Sequence, residues 1–373
     1  MELAKIGVSE EQVDILDIAT NFCRERSPGE KVRSLMESSD GYDAELWTEM
    51  AGLGWMGIAI PEAHGGIGLS LAEVVPIVEQ MGRNLLASPF IAATLAAQAV
   101  IAGGTQHQQA AWLPKLASGT VGTLALQEEH ADWDLTNITA TAKRAAGRIE
   151  LSGKKLVVQW AEASGVIIAS VSMDGGPALA LITKDDLPKG ALRREKIIDE
   201  TRRSCALTLD GISLPEEQLL DPAKAAAALA HIELAWSLLQ SAEMCGGTQS
   251  VIDYTVDYLQ TRKQFGKIIG SYQALKHPIV DAYVEYEKAR SLLYSAASSF
   301  GDQGLGEVAV RMAKAAADKA YSCAADRAIQ FHGGFGFTHE CDAGLHRRAA
   351  IFQASQMGDA AWQRAKLADL LFA

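Results

Sequence analysis

Between residues 9 and 118, apolar positions recur every three or four residues, as in EEQVDILDIATNF, LAEVVPIVEQMGRNLL and FIAATLAAQAVIA. That spacing lines them along one face of a helix and predicts a packed set of amphipathic helices. One stretch breaks the rhythm. GWMGIAIPEAHGGIGLS, residues 54–70, holds Pro61 and the Gly65-Gly66 pair, so the chain must leave helix there. From about residue 121 the texture changes to short alternating or β-branched runs, TLALQ, ITATA, RIELSG, GVIIASVSM, PALALITK and CALTLDGISLP, parted by Gly, Asp and Pro turns. These read as strands. From Pro222 onward helical spacing returns in long runs, notably AALAHIELAWSLLQSAEMCGGTQSVIDYTVDYLQTR and EVAVRMAKAAADKAYSCAADRAIQFH. The pattern predicts an α+β chain in three parts: helices over 1–120, a β domain over 121–216 and helices over 217–373.

Composition narrows the chemistry. The 373 residues are 48% hydrophobic and 6% aromatic, ample for two or three cores. A net charge of −12 argues against nucleic acid as a partner, because phosphate backbones are bound through a basic face. A local basic cluster can still hold one phosphorylated ligand. Cys23, Cys205, Cys245, Cys323 and Cys341 are scattered, with no CxxC pair and no histidine at metal-ligand spacing, which predicts reduced thiols in a cytoplasmic protein. The acidic, amphipathic start MELAKIGVSEEQVDILDIATNF lacks the charged-then-apolar order of an export signal, and no run of 18 apolar residues suggests a membrane span.

Two segments carry candidate chemistry. RKQFGKIIGSYQALKH, residues 262–277, gathers Arg262, Lys263, Lys267, Lys276 and His277 around a Phe265-Gly266 turn at the end of a long helix. Arg262 beside an exposed aromatic suits a phosphate clamp, although a solvated basic loop has the same composition. QFHGGFGFTHE, residues 330–340, packs Gly333, Gly334 and Gly336 behind a helix, where bare backbone amides can approach a pyrophosphate or ribose. It is not a GxGxxG fingerprint after a strand, so a nicotinamide-type Rossmann site is not supported.

In this order the segments resemble the acyl-CoA dehydrogenase family, flavoproteins with an N-terminal helical domain, a central β domain and a C-terminal four-helix bundle. GWMGIAIPEAHGGIGLS is similar to the family's Pro-Glu-x-x-Gly-Gly-x-Gly signature, and YLQTRKQFGKIIGSYQALKH nearly matches its consensus. The resemblance implies that Arg262, Phe265, Gln273, Gln330, His332, Gly333 and Gly334 contact the adenosine and pyrophosphate of an FAD held by a neighbouring subunit. The other half of the family's flavin site is altered. Its Thr-Glu-Pro-x-x-Gly-Ser-Asp motif falls on QEEHADWD, residues 127–134, with Gln127 for Thr, Asp132 for Gly and Trp133 for Ser. The family's Trp-Ile-Thr stretch falls on Val157-Val158-Gln159, with Trp160 next to it as a partial substitute or an ordinary core residue.

The catalytic base is missing at both usual positions. The Glu of the family's Tyr-Glu-Gly-Thr stretch, which takes the α-proton of the acyl thioester while a hydride passes to flavin, falls on Met357, and a thioether accepts no proton at neutral pH. The alternative position, on the first helix of the C-terminal part, falls on Trp236. Glu243 lies two turns further along that helix, about 10 Å away, and is the substitute candidate; Asp359 is a weaker one. The resemblance therefore implies an FAD-dependent subunit of an enzyme converting acyl-CoA to trans-2-enoyl-CoA, with an electron-transfer flavoprotein as acceptor. The eroded half suggests the supporting, small subunit of a heteromeric member of pimeloyl-CoA or steroid side-chain type, completed by a larger homologous subunit. A self-sufficient homo-oligomer using Glu243, and a flavin-free binding or assembly protein of the same fold, are the alternatives.

Overall fold

A computed structural model of the chain describes residues 9–130 and 132–372. Most of the stretch read against an export signal is described, but its first eight residues lie outside. Six helices come first: α1 (Glu10–Arg26), α2 (Gly29–Glu37), α3 (Ala44–Gly52), α4 (Leu71–Arg83), α5 (Phe90–Gly103) and α6 (Gln106–Ala117). Their starts are written locally. Ser9 with Gln12, Ser70 with Glu73 and Thr105 with Gln108 each form a reciprocal capping box that satisfies the first free amides. The irregular stretch before α4 folds as two short 3₁₀ turns around Pro61, with Gly65 at φ 80°.

The strands are β1 (Gly122–Ala125), β2 (Thr141–Ala145), β3 (Arg148–Ser152), β4 (Lys154–Gln159), β5 (Val166–Met173), β6 (Gly176–Thr183), β7 (Leu192–Glu195), β8 (Ser204–Thr208) and β9 (Ser213–Pro215). One sheet runs β1-β5-β2-β3-β9 with β6 also on β5, and a second runs β4-β8-β7. Alanines and β-branched residues of both sheets fill a separate core that includes Ile149, Val158, Ile167 and Leu207. Two strands have no clear periodic signal: β7 reads LRRE and lies at an edge, and β4 opens on two lysines. The ITATA run behaves differently from its pattern. Its first half is tied down by Glu128, which accepts from the Thr139 and Ala140 amides at 2.8 and 3.1 Å, and strand begins only at Thr141.

After β9 come α7 (Ala225–Thr261), a minimal hairpin β10 (Lys263–Gln264) and β11 (Lys267–Ile268), then α8 (Gln273–Ser299), α9 (Leu305–His332), α10 (Asp342–Ala354) and α11 (Ala360–Phe372). The helices α7, α8, α9 and α10 form the bundle, and α11 packs on α9. The N-terminal helices join it through α4, whose backbone touches that of α7. A Cβ on Gly82 would lie 2.0 Å from the Glu243 carbonyl oxygen, and one on Gly246 1.8 Å from that of Glu79, so only glycine permits this crossing. Glu79, fully buried beside it, accepts from Arg290 Nε at 2.5 Å and from Tyr294 Oη at 2.7 Å, and so ties α4 to α8. Among the described residues no helix is long and apolar enough to cross a membrane.

The β domain contains a fully buried ion pair. Lys155, with no exposed surface, donates to Glu128 at 2.6 Å and to Ser170 at 2.9 Å. Burial opposes the Glu128 charge, but Lys155, the Thr139 hydroxyl and the Ala140 amide outweigh it and hold the carboxyl down at about 2. A depressed carboxyl stabilises the fold above its ordinary value of 4.5, and that contribution disappears as pH falls from there towards 2. Glu128→Gln, which strands a buried ammonium, should cost about 3–5 kcal/mol in urea unfolding at pH 7. Glu128→Gln/Lys155→Met should regain most of that loss and flatten the acid limb below pH 4.5. A double variant as unstable as the single one would show that the pair is not the source of the loss.

Candidate functional site

The two motif segments meet at one end of the bundle. Helix α7 ends at Arg262, whose amide bonds the Tyr258 carbonyl at 2.9 Å and whose own carbonyl accepts from Ile269 at 2.9 Å, closing the hairpin. Phe265 at φ 51° and Gly266 at φ 76° make the tight turn between its strands. The turn leaves Phe265 90% exposed. One turn back along α7, Tyr258 stacks on His332 at 4.3 Å and reaches Phe335 at 6.4 Å, which ties the hairpin region to the end of α9. Arg262, Gln273, Gln330, Gly333 and Gly334 are all exposed, and among the described residues Arg262 has no ion-pair or side-chain hydrogen-bond partner. Gly333 turns the chain at φ 59°, ψ −134°, and a Cβ on it or on Gly334 would meet nothing within 4 Å. The result is an exposed glycine turn, with the Gly333 amide bonded to the Gln330 carbonyl, at the same end of the bundle as an exposed guanidinium.

His332 is placed differently from the other six residues. Its ring is buried between Tyr254 and Tyr258, with Nδ1 at 2.8 Å from the Ala328 carbonyl oxygen. Burial lowers its pKa against the pull of that carbonyl, which keeps the ring neutral. Among the described residues Nε2 has no hydrogen-bond partner. The ring therefore props up the glycine turn from beneath and retains one unsatisfied polar atom.

The second region lies between the β domain and the bundle, around the altered motifs. Gln127 Nε2 donates to Gln356 Oε1 at 3.1 Å, and Trp133 Nε1 donates to the Ser355 carbonyl at 2.9 Å with its ring edge-on to Trp362 at 6.1 Å. The QEEHADWD loop thus closes directly onto the loop carrying Met357. Met357 is buried at φ 52°, its carbonyl accepting from Gln363 at 2.6 Å. Val157, a β-branched residue at φ 52°, sits in a bulge of β4 held by Glu195, which accepts its amide at 2.9 Å. Such a conformation is strained and persists only where surrounding contacts enforce it. Asp359 caps α11, accepting from the Ala361 and Trp362 amides at 3.0 and 2.8 Å.

Glu243 is buried on α7 and fully engaged. Oε1 pairs with Arg202 Nη2, and Oε2 accepts from Gln240 at 2.8 Å. Arg202 comes from the turn before β8, where its Nε also donates to Asp199 Oδ2 at 2.9 Å, and its cation lies 5.7 Å from the Phe352 ring centre. Burial works against the guanidinium, yet Glu243 and Asp199 outweigh it and raise its pKa further. Both carboxylate oxygens of Glu243 are thus spent on partners within the chain. Sequence reasoning missed Arg202. The available signal was charge density: Asp199, Glu200, Arg202 and Arg203 crowd into five positions between apolar Ile197-Ile198 and Cys205-Ala206-Leu207.

An FAD fits these two regions unequally. The exposed shelf offers a guanidinium, two exposed glutamines and a glycine turn with open space above it, a set suited to a pyrophosphate and a nucleoside. The voids between α4, α5, α7 and the β domain measure only about 20 and 10 Å³, against roughly 300–1,000 Å³ for a ligand pocket, so neither holds a flavin ring. Separately, Trp133 is bonded to the Ser355 carbonyl beside Met357.

Comparison with known proteins agrees with the architecture. The family descriptions "Acyl-CoA dehydrogenase, N-terminal domain" and "Acyl-CoA dehydrogenase, C-terminal domain" match residues 9–120 and 236–371. Acyl-CoA dehydrogenase fadE12 of Mycobacterium bovis is 31% identical over 317 residues, covering 80% of each chain. Acyl-CoA dehydrogenase IpdE2 of Mycobacterium tuberculosis is 30% identical over 322 residues, covering 86% of this chain and 84% of the relative. Among solved structures, a variant of the Tcur3481-Tcur3483 steroid ACAD superposes with a TM-score of 0.86 at 27% identity, covering 98% of both chains. The chain belongs to the acyl-CoA dehydrogenase family of FAD-dependent oxidoreductases.

Proposed function

We propose that this chain is the supporting subunit of a heteromeric acyl-CoA dehydrogenase, lending its exposed shelf to an FAD seated in a larger homologous subunit. The carrying observation is the contrast between two halves of one site. Arg262 and the Gly333-Gly334 turn stand open, while Trp133 and Gln127 are bonded to the loop carrying Met357. The steroid ACAD similar to this chain is itself named as a Tcur3481-Tcur3483 pair. In the complete enzyme, FAD supplies the hydride acceptor for α,β-dehydrogenation of an acyl-CoA, and an electron-transfer flavoprotein takes the electrons onward. This chain's residues bind and orient. Arg262 pairs with the pyrophosphate, the Gly333 and Gly334 backbone lies against it, Gln273 and Gln330 hold the adenosine end, and Phe265 covers it. The base belongs to the partner, because Met357 cannot accept a proton and Glu243 is committed to Arg202.

Purified alone, the chain should contain clearly less than one FAD per monomer, and co-expression with the larger homologue should give about one FAD per pair by absorbance. A yellow homo-oligomer with one flavin per chain would refute the reading. Arg262→Ala should weaken FAD binding to the pair about 10- to 100-fold, the worth of a charge-assisted contact of roughly 1.5–3 kcal/mol, while leaving the circular dichroism of the chain unchanged. Lysine at that position should restore binding only in part, because it lacks the planar fork. An unaltered FAD dissociation constant in Arg262→Ala would remove this residue from the site.

A further inference from the structure

We infer that Arg202 is a built-in plug of the acyl cleft, its guanidinium occupying the space that an acyl thioester's chain would take. The inference builds on the supporting-subunit reading and says why this chain would hold no substrate of its own. Arg202 lines both inner voids and also an open groove of about 480 Å³ on their outer side. It is therefore the partition between solvent and the cleft. One void reaches Trp236, the residue on which the family's alternative base position falls by resemblance. That void is walled mainly by apolar Ile91, Ala92 and Leu95 of α5 with Leu124 of β1, whereas the other mixes Leu85, Leu86, Phe90 and Ile91 with polar Gln159, Thr201 and Gln353. An apolar wall leading away from a reactive edge is the lining a hydrocarbon chain requires.

A guanidinium is a poor occupant for such a space on its own, since a buried charge is tolerated only when paired and hydrogen-bonded. Glu243 from α7 and Asp199 from the β domain supply that pairing, and Phe352 lies close to the cation. An ion pair serving only to clamp the two domains would not need its guanidinium to border a mainly apolar void. Here Arg202 borders both voids and the outer groove, so replacing the side chain by a methyl group joins them.

The test is calorimetric titration of the chain alone with octanoyl-CoA and with acetyl-CoA. The wild-type chain should show no saturable binding of either. Arg202→Ala should bind octanoyl-CoA saturably, at least about tenfold more tightly than acetyl-CoA. That dependence on chain length comes from an opened apolar pocket and not from CoA on the surface. Arg202→Ala/Glu243→Gln, which also neutralises one of the two carboxylates left behind while Asp199 keeps its bonds to Thr201, should behave in the same way and carries the comparison if the single variant does not fold. Wild type that binds octanoyl-CoA as tightly as the variants would overturn the inference. So would folded variants that gain no chain-length-dependent binding, or two variants that both fail to fold, which would make the pair a clamp required for folding. None of these results bears on flavin stoichiometry with the larger subunit, so the two readings fail separately.

Discussion

The contact between the backbones of α4 and α7 governs where everything else can stand. With Gly82 against the Glu243 carbonyl and Gly246 against that of Glu79, the two helices approach as closely as main chain permits. The long α7 therefore has little freedom to shift along the N-terminal domain. Its middle presents Trp236, Gln240 and Glu243 to the β domain, and its end presents Arg262 to solvent. Gly247 tightens the same helix against Tyr321 of α9, where an added Cβ would lie 2.5 Å from the ring. One rigid rod thus carries elements of both the open shelf and the closed cleft.

The end and the middle of that rod have diverged in chemistry. Near its C-terminal end, among the described residues, polar groups are unspent: a free guanidinium and an unpartnered His332 Nε2, beside glycines with open space above them. In its middle they are spent on one another. Arg202 is held by two carboxylates, Gln127 by Gln356, and Trp133 by a carbonyl. Buried polar groups need partners, and a ligand is only one way to supply them. In this chain the cleft supplies its own.

Much of this was legible in the sequence because it is local. Helical spacing, the capping residues and the Phe265-Gly266 turn depend on neighbours within a few positions, and the shelf residues sit in two contiguous segments. The loss of the base at Met357 was equally plain, since it follows from one side chain's chemistry. Contacts between distant segments were not legible. His332 looked like a surface ligand because nothing in QFHGGFGFTHE announces that two tyrosines of another helix enclose it. Glu243 looked like a buried carboxyl free to titrate because its partner comes from 41 residues away, in a turn whose four charges resemble an ordinary solvated loop. Strand β7 was hidden for a related reason: an exposed edge has no need of apolar alternation.

The most direct measurement is photolabelling of the complex formed with the larger homologous subunit, using FAD that carries an azide on its adenine ring, followed by peptide mapping. The account predicts label on this chain within residues 262–273 and 330–337. Label confined to the partner subunit would contradict it.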